Sequence, residues 1–184
     1  AENAAKDGEI IVLLENIVLD GMVTFFNSGN TRMLTLDMNN KTITMSDDWD
    51  NTTEKSAFWV CDGLTITGNG TINTDPANEA EVYPIIVGHR TADTFDGYAG
   101  TLVIENGTFI RDEVTVVTNS TTGLFMGCKT TASNVTINGG YFDPGYYDEN
   151  AANIEDILAG TAEFIETEDD IAKRGNSKDA NLVR

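Results

Sequence analysis

Carboxylate, imidazole and guanidinium groups that suit acid–base chemistry concentrate between positions 73 and 112. Asn73–Asp75 reads NTD and Gly88–Arg90 reads GHR, which brings a carboxylate and an imidazole into one stretch. Hydrolysis of a glycosidic bond needs two carboxyl groups, one to protonate the leaving oxygen and one to activate water. No adjacent pair of acidic residues lies between the two tripeptides. We therefore expect Asp75 to begin a loop and His89 to end a strand, and we assign no catalytic residue.

A second acidic run has the oxygen ligands that calcium prefers. It covers Asp47–Asn51 and reads DDWDN. It lacks the glycine and the terminal glutamate of a calcium-binding loop, so we interpret it as a solvated turn. The sequence contains neither a phosphate-binding glycine loop nor the ligand spacing of a zinc site. We assign no metal site and no cofactor.

The chain carries a strong negative charge, which limits its partners. Its 184 residues include 11 basic and 30 acidic side chains, for a formal net charge of −19 at pH 7. Such a charge favours solubility and repels polyanions, so we expect no nucleic-acid partner. No stretch approaches the roughly 20 apolar residues that cross a bilayer, so we expect no membrane partner. Cys61 and Cys128 stand in apolar runs, which favours buried free thiols.

One phrase of the sequence occurs four times. Two apolar residues alternate with a polar one, an Asn-containing turn follows, and another apolar residue comes after it. The copies are LTLDMNNKTI (34–43), LTITGNGTI (64–72), LVIENGTF (102–109) and VTINGGYF (135–142). Their asparagines, Asn40, Asn69, Asn106 and Asn138, are separated by 29, 37 and 32 residues. A period of roughly 20 to 50 residues indicates a solenoid, a propeller or an array, and the chain is too short for a propeller.

Short strands bounded by Gly, Asn and Asp favour an all-β fold, a single-stranded parallel β-helix whose coils stack roughly 4.8 Å apart. The repeat then predicts inward columns of aligned apolar residues. The first strand of each copy contributes Leu34 and Leu36, Leu64 and Ile66, Leu102 and Ile104, and Val135 and Ile137. The strand after the turn contributes Ile43, Ile72, Phe109 and Phe142. The Asn and Gly residues suit a tight corner with left-handed backbone angles, where we expect the asparagines to stack.

The last three copies, preceded by NAAKDGEIIVLLENIVLDG (3–21), resemble the right-handed parallel β-helices of the pectin-lyase-like superfamily. The likeness is closest to short β-helices in surface proteins of gut bacteria and in head or fibre proteins of tailed bacteriophages. It covers roughly positions 1–144 and implies the fold. This scaffold carries lyases, hydrolases, adhesins and virion parts alike, so the resemblance leaves the function open.

The sequence can be compared with the catalytic motifs of two enzyme branches of that superfamily. The polygalacturonase-like branch uses NTD, an acidic pair, GHG and RIK; here His89 is followed by Arg90, and no RIK follows. The lyase branch needs acidic calcium ligands and a basic residue. The chain offers a set whose geometry nothing in the sequence fixes: Arg90, Asp93, Asp96, Arg111 and Asp112. We expect the protein not to be an enzyme.

The pattern predicts two segments. Positions 1–144 form the β-helix, with an N-terminal cap that includes a short helical turn closing at Gly8. Positions 145–184 form an acidic helical or irregular tail that caps the last coil or docks on a partner. Helices are predicted over 148–159 and 167–174, from an apolar face and a capping pattern. The candidate partner-binding residues are Ile154, Ile157, Leu158, Lys173 and Arg174.

Three functions fit this sequence. The leading hypothesis is a structural protein of a phage virion, a capsid decoration or head-fibre component on the virion surface. Its expected partners are protein subunits of a larger assembly, such as a capsid, and further copies of itself, for instance in a trimer. The alternative is a bacterial cell-surface adhesion module that presents loops 76–82 and 91–100 to a glycan or a host protein. An enzyme acting on acidic polysaccharide comes third, because a charge of −19 repels a polyanion.

Overall fold

The described part of the chain is built from short strands and turns. The computed structural model describes residues 5–26, 32–49, 56–74, 83–87, 100–110, 124–125, 128–129, 135–146, 164–165 and 180–183, and no α-helix occurs among them. The strands are β1 (Ile10–Val12), β2 (Ile17–Leu19), β3 (Val23–Phe25), β4 (Met33–Asp37), β5 (Thr42–Met45), β6 (Ser56–Val60), β7 (Gly63–Thr67), β8 (Thr71–Asn73), β9 (Tyr83–Val87), β10 (Thr101–Ile104), β11 (Thr108–Ile110), β12 (Leu124–Phe125), β13 (Cys128–Lys129), β14 (Val135–Ile137), β15 (Gly140–Tyr146), β16 (Phe164–Ile165) and β17 (Ala180–Val183).

Strands β1 to β11 belong in turn to three parallel sheets, β12 and β13 pair with each other antiparallel, and β14 and β15 extend the first two parallel sheets. Sheet A has the order β1-β4-β7-β10-β14, sheet B begins β2-β5-β8-β11-β15, and sheet C is β3-β6-β9. Every neighbouring pair in these series is parallel. Each copy of the repeat therefore lies beside the previous copy. The prediction of an all-β fold with parallel strands is confirmed for the described residues.

The strand register aligns the apolar residues that the repeat predicts to be neighbours. In sheet A it joins, one after another, Leu34, Leu64, Leu102 and Val135, and two positions further on Leu36, Ile66, Ile104 and Ile137. In sheet B it joins Ile43, Ile72, Phe109 and Phe142. The eight sheet A side chains are at most 3% exposed. Because successive side chains of a strand point to opposite faces, the residues between them lie on the outer face. The predicted alignment is confirmed.

Apolar side chains from the three sheets meet in one buried cluster. Sheet C contributes aromatic residues to it: the rings of Phe25 and Phe58 lie with centroids 5.3 Å apart and planes at 85°, an edge-to-face arrangement. Ile85 and Val87 of β9 extend the same face and are 1% exposed. Full burial of a side chain of this size contributes about 1.5–3 kcal/mol. The cluster therefore supplies the main attraction that holds the sheets together.

The corner between sheets A and B uses residues that tolerate left-handed backbone angles. Asn39 and Asn40 have φ of 45° and 57°, and Gly68 has φ of 82°. The amide of Asn106 donates to the side-chain oxygen of Asn69 across 2.5 Å, so the predicted stacking occurs between these two copies. In the first copy Asn39 makes the corresponding link, since its amide donates to the carbonyl of Leu13 across 2.8 Å. The side chain of Asn40 is exposed, and this residue contributes to the corner through its left-handed backbone angle.

The described N-terminal residues form a turn against sheet A. The N–H of Glu9 donates to the carbonyl of Lys6, and Gly8 has φ of 77°. The N–H of Gly8 donates to the carbonyl of Met33 across 2.8 Å, and Ala5 packs on the core. The sequence predicts a helical turn here. The described segment is a single hydrogen-bonded turn that does close at Gly8.

The far end of sheet B contains strands that the sequence analysis does not predict. Strand β15 crosses the predicted segment boundary at 144/145, and β17 pairs with it antiparallel, followed by β16. Both added strands are short and mainly apolar within a polar tail. Strand β17 pairs with the last parallel strand of sheet B, and β16 pairs with β17, so the two strands cover that edge of the sheet. The helices predicted over 148–159 and 167–174 lie outside the described residues.

Candidate functional site

A buried ion pair lies where the chain passes from sheet C to sheet A. Arg32 precedes β4, and Asp62 connects β6 to β7. The register pairs Met33 with Gly63, which places the two preceding residues side by side. The Nε of Arg32 lies 3.3 Å from Oδ2 of Asp62, and the two side chains are 7% and 1% exposed.

The guanidinium group also connects separate segments of the backbone. One terminal nitrogen of Arg32 donates to the carbonyl of Ala5, and the other donates to the carbonyl of Phe26, each across 3.2 Å. The backbone of Asp62 is held as well: its N–H donates to the carbonyl of Phe25, and its carbonyl accepts from Thr101. The ion pair therefore joins the N-terminal turn, the end of β3 and the start of two sheet A strands.

The buried negative charge of the Asp62 carboxylate is balanced by the positive charge of Arg32. Both of its oxygens are buried, and neither accepts a hydrogen bond from any residue in the described part of the chain. A buried carboxylate without an opposite charge costs several kcal/mol, so the cation at 3.3 Å is essential to its stability. Side chains so far from solvent have no access to a substrate. The arrangement fits a structural clamp.

Cys61 adjoins this pair and is a free, buried thiol. Burial, together with the smaller effect of the neighbouring charge of Asp62, raises its pKa from 9.0 to about 11. The thiolate is the reactive form of cysteine, so this thiol is protected at neutral pH. The prediction of a buried free thiol is confirmed for Cys61. The side chain of Cys128 lies outside the described residues.

We expect Cys61 to react slowly with a disulfide reagent while the chain is folded. A pKa higher by two units lowers the thiolate fraction about 100-fold at pH 8, and burial slows the reaction further. In a Cys128→Ser background, reaction with Ellman's reagent at pH 8 should be at least about 100-fold slower in buffer than in urea. Because the folded pKa is raised, Cys61 should also reduce stability as pH rises from about 9 to about 11. Equal rates in buffer and in urea would contradict both expectations.

The NTD tripeptide is partly structural. Asn73 ends β8, and Thr74 is 4% exposed. The hydroxyl of Thr74 donates to the carbonyl of Ile110 across 3.2 Å, and its N–H donates to the same carbonyl across 3.0 Å. Asp75, His89 and Arg90 lie outside the described residues, as do the remaining candidates for a lyase site: Asp93, Asp96, Arg111 and Asp112.

The acidic run at 47–51 begins in a turn. Asp47 and Asp48 are exposed, the N–H of Trp49 donates to the carbonyl of Ser46, and the indole ring is 5% exposed in the core cluster. Positions 50 and 51 lie outside the described residues. Among the residues that the structure describes, no group of three or more His, Cys, Asp or Glu side chains is arranged to hold a metal ion.

The predicted partner-binding residues remain a prediction. Ile154, Ile157, Leu158, Lys173 and Arg174 all lie outside the described residues. No helix within the described ranges is long and apolar enough to span a membrane. Comparison of the chain with protein-family models, with curated proteins and with solved structures gives no match.

Strands β1 and β2 and the residue Leu14 between them carry exposed apolar side chains that the repeat does not predict. They are Ile10 (64% exposed), Val12 (45%), Leu14 (83%) and Val18 (61%). Aligning these strands with the repeat would have identified these residues, because they fall at positions that are polar in the next strand of each sheet. Ile10 pairs with Thr35, Val12 with Asp37, and Val18 with Thr44, so the outer face is polar one copy later.

Proposed function

We propose that the three parallel sheets are the faces of one short right-handed parallel β-helix, and that this β-helix is a non-enzymatic structural component of a larger assembly. The favoured setting is a phage virion, as a capsid decoration or a head fibre. The supporting observation is the strand order. From β1 to β11 each sheet takes every third strand, β14 and β15 then extend sheets A and B, and the apolar residues of sheet A are in register. Each coil would then stack on the previous one.

The use of the described polar groups also supports a structural role. Arg32 and Asp62 lie buried against each other, and Thr74 bonds the backbone of β11. At the outer corner, the amides of Asn69 and Asn106 bond each other. These groups hold neighbouring copies together and so stiffen the stack. A short stiff rod suits a part that is attached to a shell.

The charge of the chain favours a virion part over an enzyme acting on acidic polysaccharide. A net charge of −19 repels a polyanionic substrate and keeps separate particles from aggregating. The polar tail predicted at 145–184 suits docking on a shell, which favours the virion over the bacterial cell surface.

The test combines the mass of the native assembly with two activity assays. We expect sedimentation equilibrium of the purified chain to give a defined oligomer, for instance a trimer. We expect no unsaturated product or new reducing ends from polygalacturonate and no binding on a glycan array. Product release would overturn the proposal in favour of an enzyme. Selective glycan binding by a monomer would overturn it in favour of an adhesion module.

A further inference from the structure

All three parallel sheets begin with strands that precede the first copy of the repeat. Strands β1, β2 and β3 each have one strand neighbour in the described part of the chain, namely β4, β5 and β6. Their other edges are therefore presented together at one end of the sheets. An open strand edge offers unpaired N–H and C=O groups to a further strand, and natural proteins usually protect such edges with charges or proline.

The backbone hydrogen bonds show which residues face the open edge. Glu9 accepts from Thr35, and the N–H of Leu13 donates to Asp37, so positions 9, 11 and 13 of the chain face β4. Alternate residues face the opposite way in a parallel ladder, which directs the backbone groups of Ile10 and Val12 to the edge. The same reasoning applies to Val18, because its neighbour Leu19 accepts from the N–H of Ser46 in the chain segment after β5.

The residues with edge-facing backbone groups also carry the exposed apolar side chains. Ile10, Val12 and Val18 are between 45% and 64% exposed. They are β-branched, which favours pairing with another strand, and none is a charged residue or a proline. A strand added beside β1 or β2 would bond these backbone groups and cover these side chains in one step.

The charges around the edge define the chemistry of the added strand. Residues 5–26 contain one basic side chain, that of Lys6, and four acidic ones. All five side chains are exposed, and the acidic set consists of Asp7, Glu9, Glu15 and Asp20. A second copy of the chain would bring the same acidic set against this one, and it carries the same net charge of −19. We infer that the edge formed by β1 and β2 binds an extended, apolar and basic segment of another protein by strand addition. This inference does not depend on a virion location.

The binding test uses a fluorescein-labelled peptide of alternating lysine and valine. Fluorescence anisotropy should show saturable binding to the chain, and the amide hydrogens of Ile10 and Val12 should exchange more slowly when the peptide is bound. The same peptide with N-methyl groups on alternate residues should not bind, because it lacks the donors that pair with the edge. A peptide with glutamate in place of lysine should bind at least about tenfold more weakly, because like charges repel across the interface.

Two variants locate the site. Ile10→Thr combined with Val18→Thr gives the edge the threonines found at these register positions on β4 and β5, Thr35 and Thr44. The loss of two apolar contacts should weaken peptide binding by about tenfold or more without changing the thermal midpoint. The matched control is Val103→Thr, which makes the same kind of change on internal strand β10, at the register position of Ile10. It should leave binding unchanged.

Four results would overturn the inference: no binding of the basic peptide, equal binding of the acidic or N-methylated peptide, equal loss of binding in Val103→Thr, or dimerisation of the chain that the Ile10→Thr and Val18→Thr double variant abolishes. The last result would make a second copy the occupant. These readouts are separate from the oligomer mass and the polygalacturonate assay, so failure here leaves the proposed structural function standing.

Discussion

Asp62→Ala is expected to lower the free energy of unfolding by about 3–5 kcal/mol, because it removes the carboxylate that lies 3.3 Å from the buried guanidinium group of Arg32. The hydrogen bonds of the guanidinium group to the carbonyls of Ala5 and Phe26 do not replace the lost carboxylate charge, because a carbonyl group is a neutral dipole. Urea denaturation followed by circular dichroism measures the loss. The matched control, Asp48→Ala, removes an exposed carboxylate from a turn and should change stability by less than about 0.5 kcal/mol.

A double-mutant cycle separates the ion pair from simple packing. Arg32→Met alone leaves the carboxylate of Asp62 buried and should also destabilise the chain. Combining it with Asp62→Leu replaces both charges by apolar side chains of similar volume, so the double variant should be more stable than either single variant. If the two single losses simply add, the charges are not coupled, and the clamp described here would be wrong.

The alignment of strands within each sheet could be predicted from the sequence, because every copy of the repeat has its apolar residues at the same positions. Leu64-Thr-Ile66 and Leu102-Val-Ile104 place apolar residues at the same two positions before an Asn-containing turn. A shift of one residue would move the whole apolar set to the outer face, so burial enforces this register. The variable spacing between copies did not matter, since the extra residues fall between the aligned strands.

The apolar pattern of the repeat does not predict the buried ion pair, because a single Arg or Asp beside a strand usually lies in solvent. The sequence did hold a signal for it. Once Leu34 is aligned with Leu64, Arg32 falls directly beside Asp62, and opposite charges at one register position attract. The strands after Tyr146 had no comparable signal, because β16 is two residues long and its partner β17 follows after a long polar stretch.

The two ends of sheet B illustrate what sequence repetition cannot show. At one end β17 and β16 continue the sheet with antiparallel strands, and at the other β2 is the first strand of the described sheet. A repeat predicts how each copy pairs and packs with the next copy. It says nothing about the strand that has only one neighbouring copy, where the outer residues are free to differ from the consensus. The apolar Val18 in place of a polar residue lies at such a position.

Ile66→Ala is expected to cost about 2–5 kcal/mol of the free energy of unfolding. Ile66 lies on β7, in the middle of sheet A, and is 0% exposed. It is aligned with Leu36 on one side and with Ile104 on the other, so truncation opens a cavity between two neighbours that are themselves buried. Neighbours held by strands on both sides collapse little into such a cavity, which favours the upper half of the range. Equilibrium denaturation in urea gives the value, and an unchanged slope shows that the unfolded state is unaffected.

Thr65→Ala is the control that shows whether the loss of stability in Ile66→Ala depends on the strand register. Thr65 is the adjacent residue of the same strand, and its side chain lies on the outer face with partial exposure. Its truncation should cost less than about 1 kcal/mol, mainly through lower strand propensity. The ratio of the two losses therefore reports which face of β7 is buried. If Thr65→Ala proved the more damaging change, β7 would be paired one residue out of the register described here, and the apolar columns would face solvent.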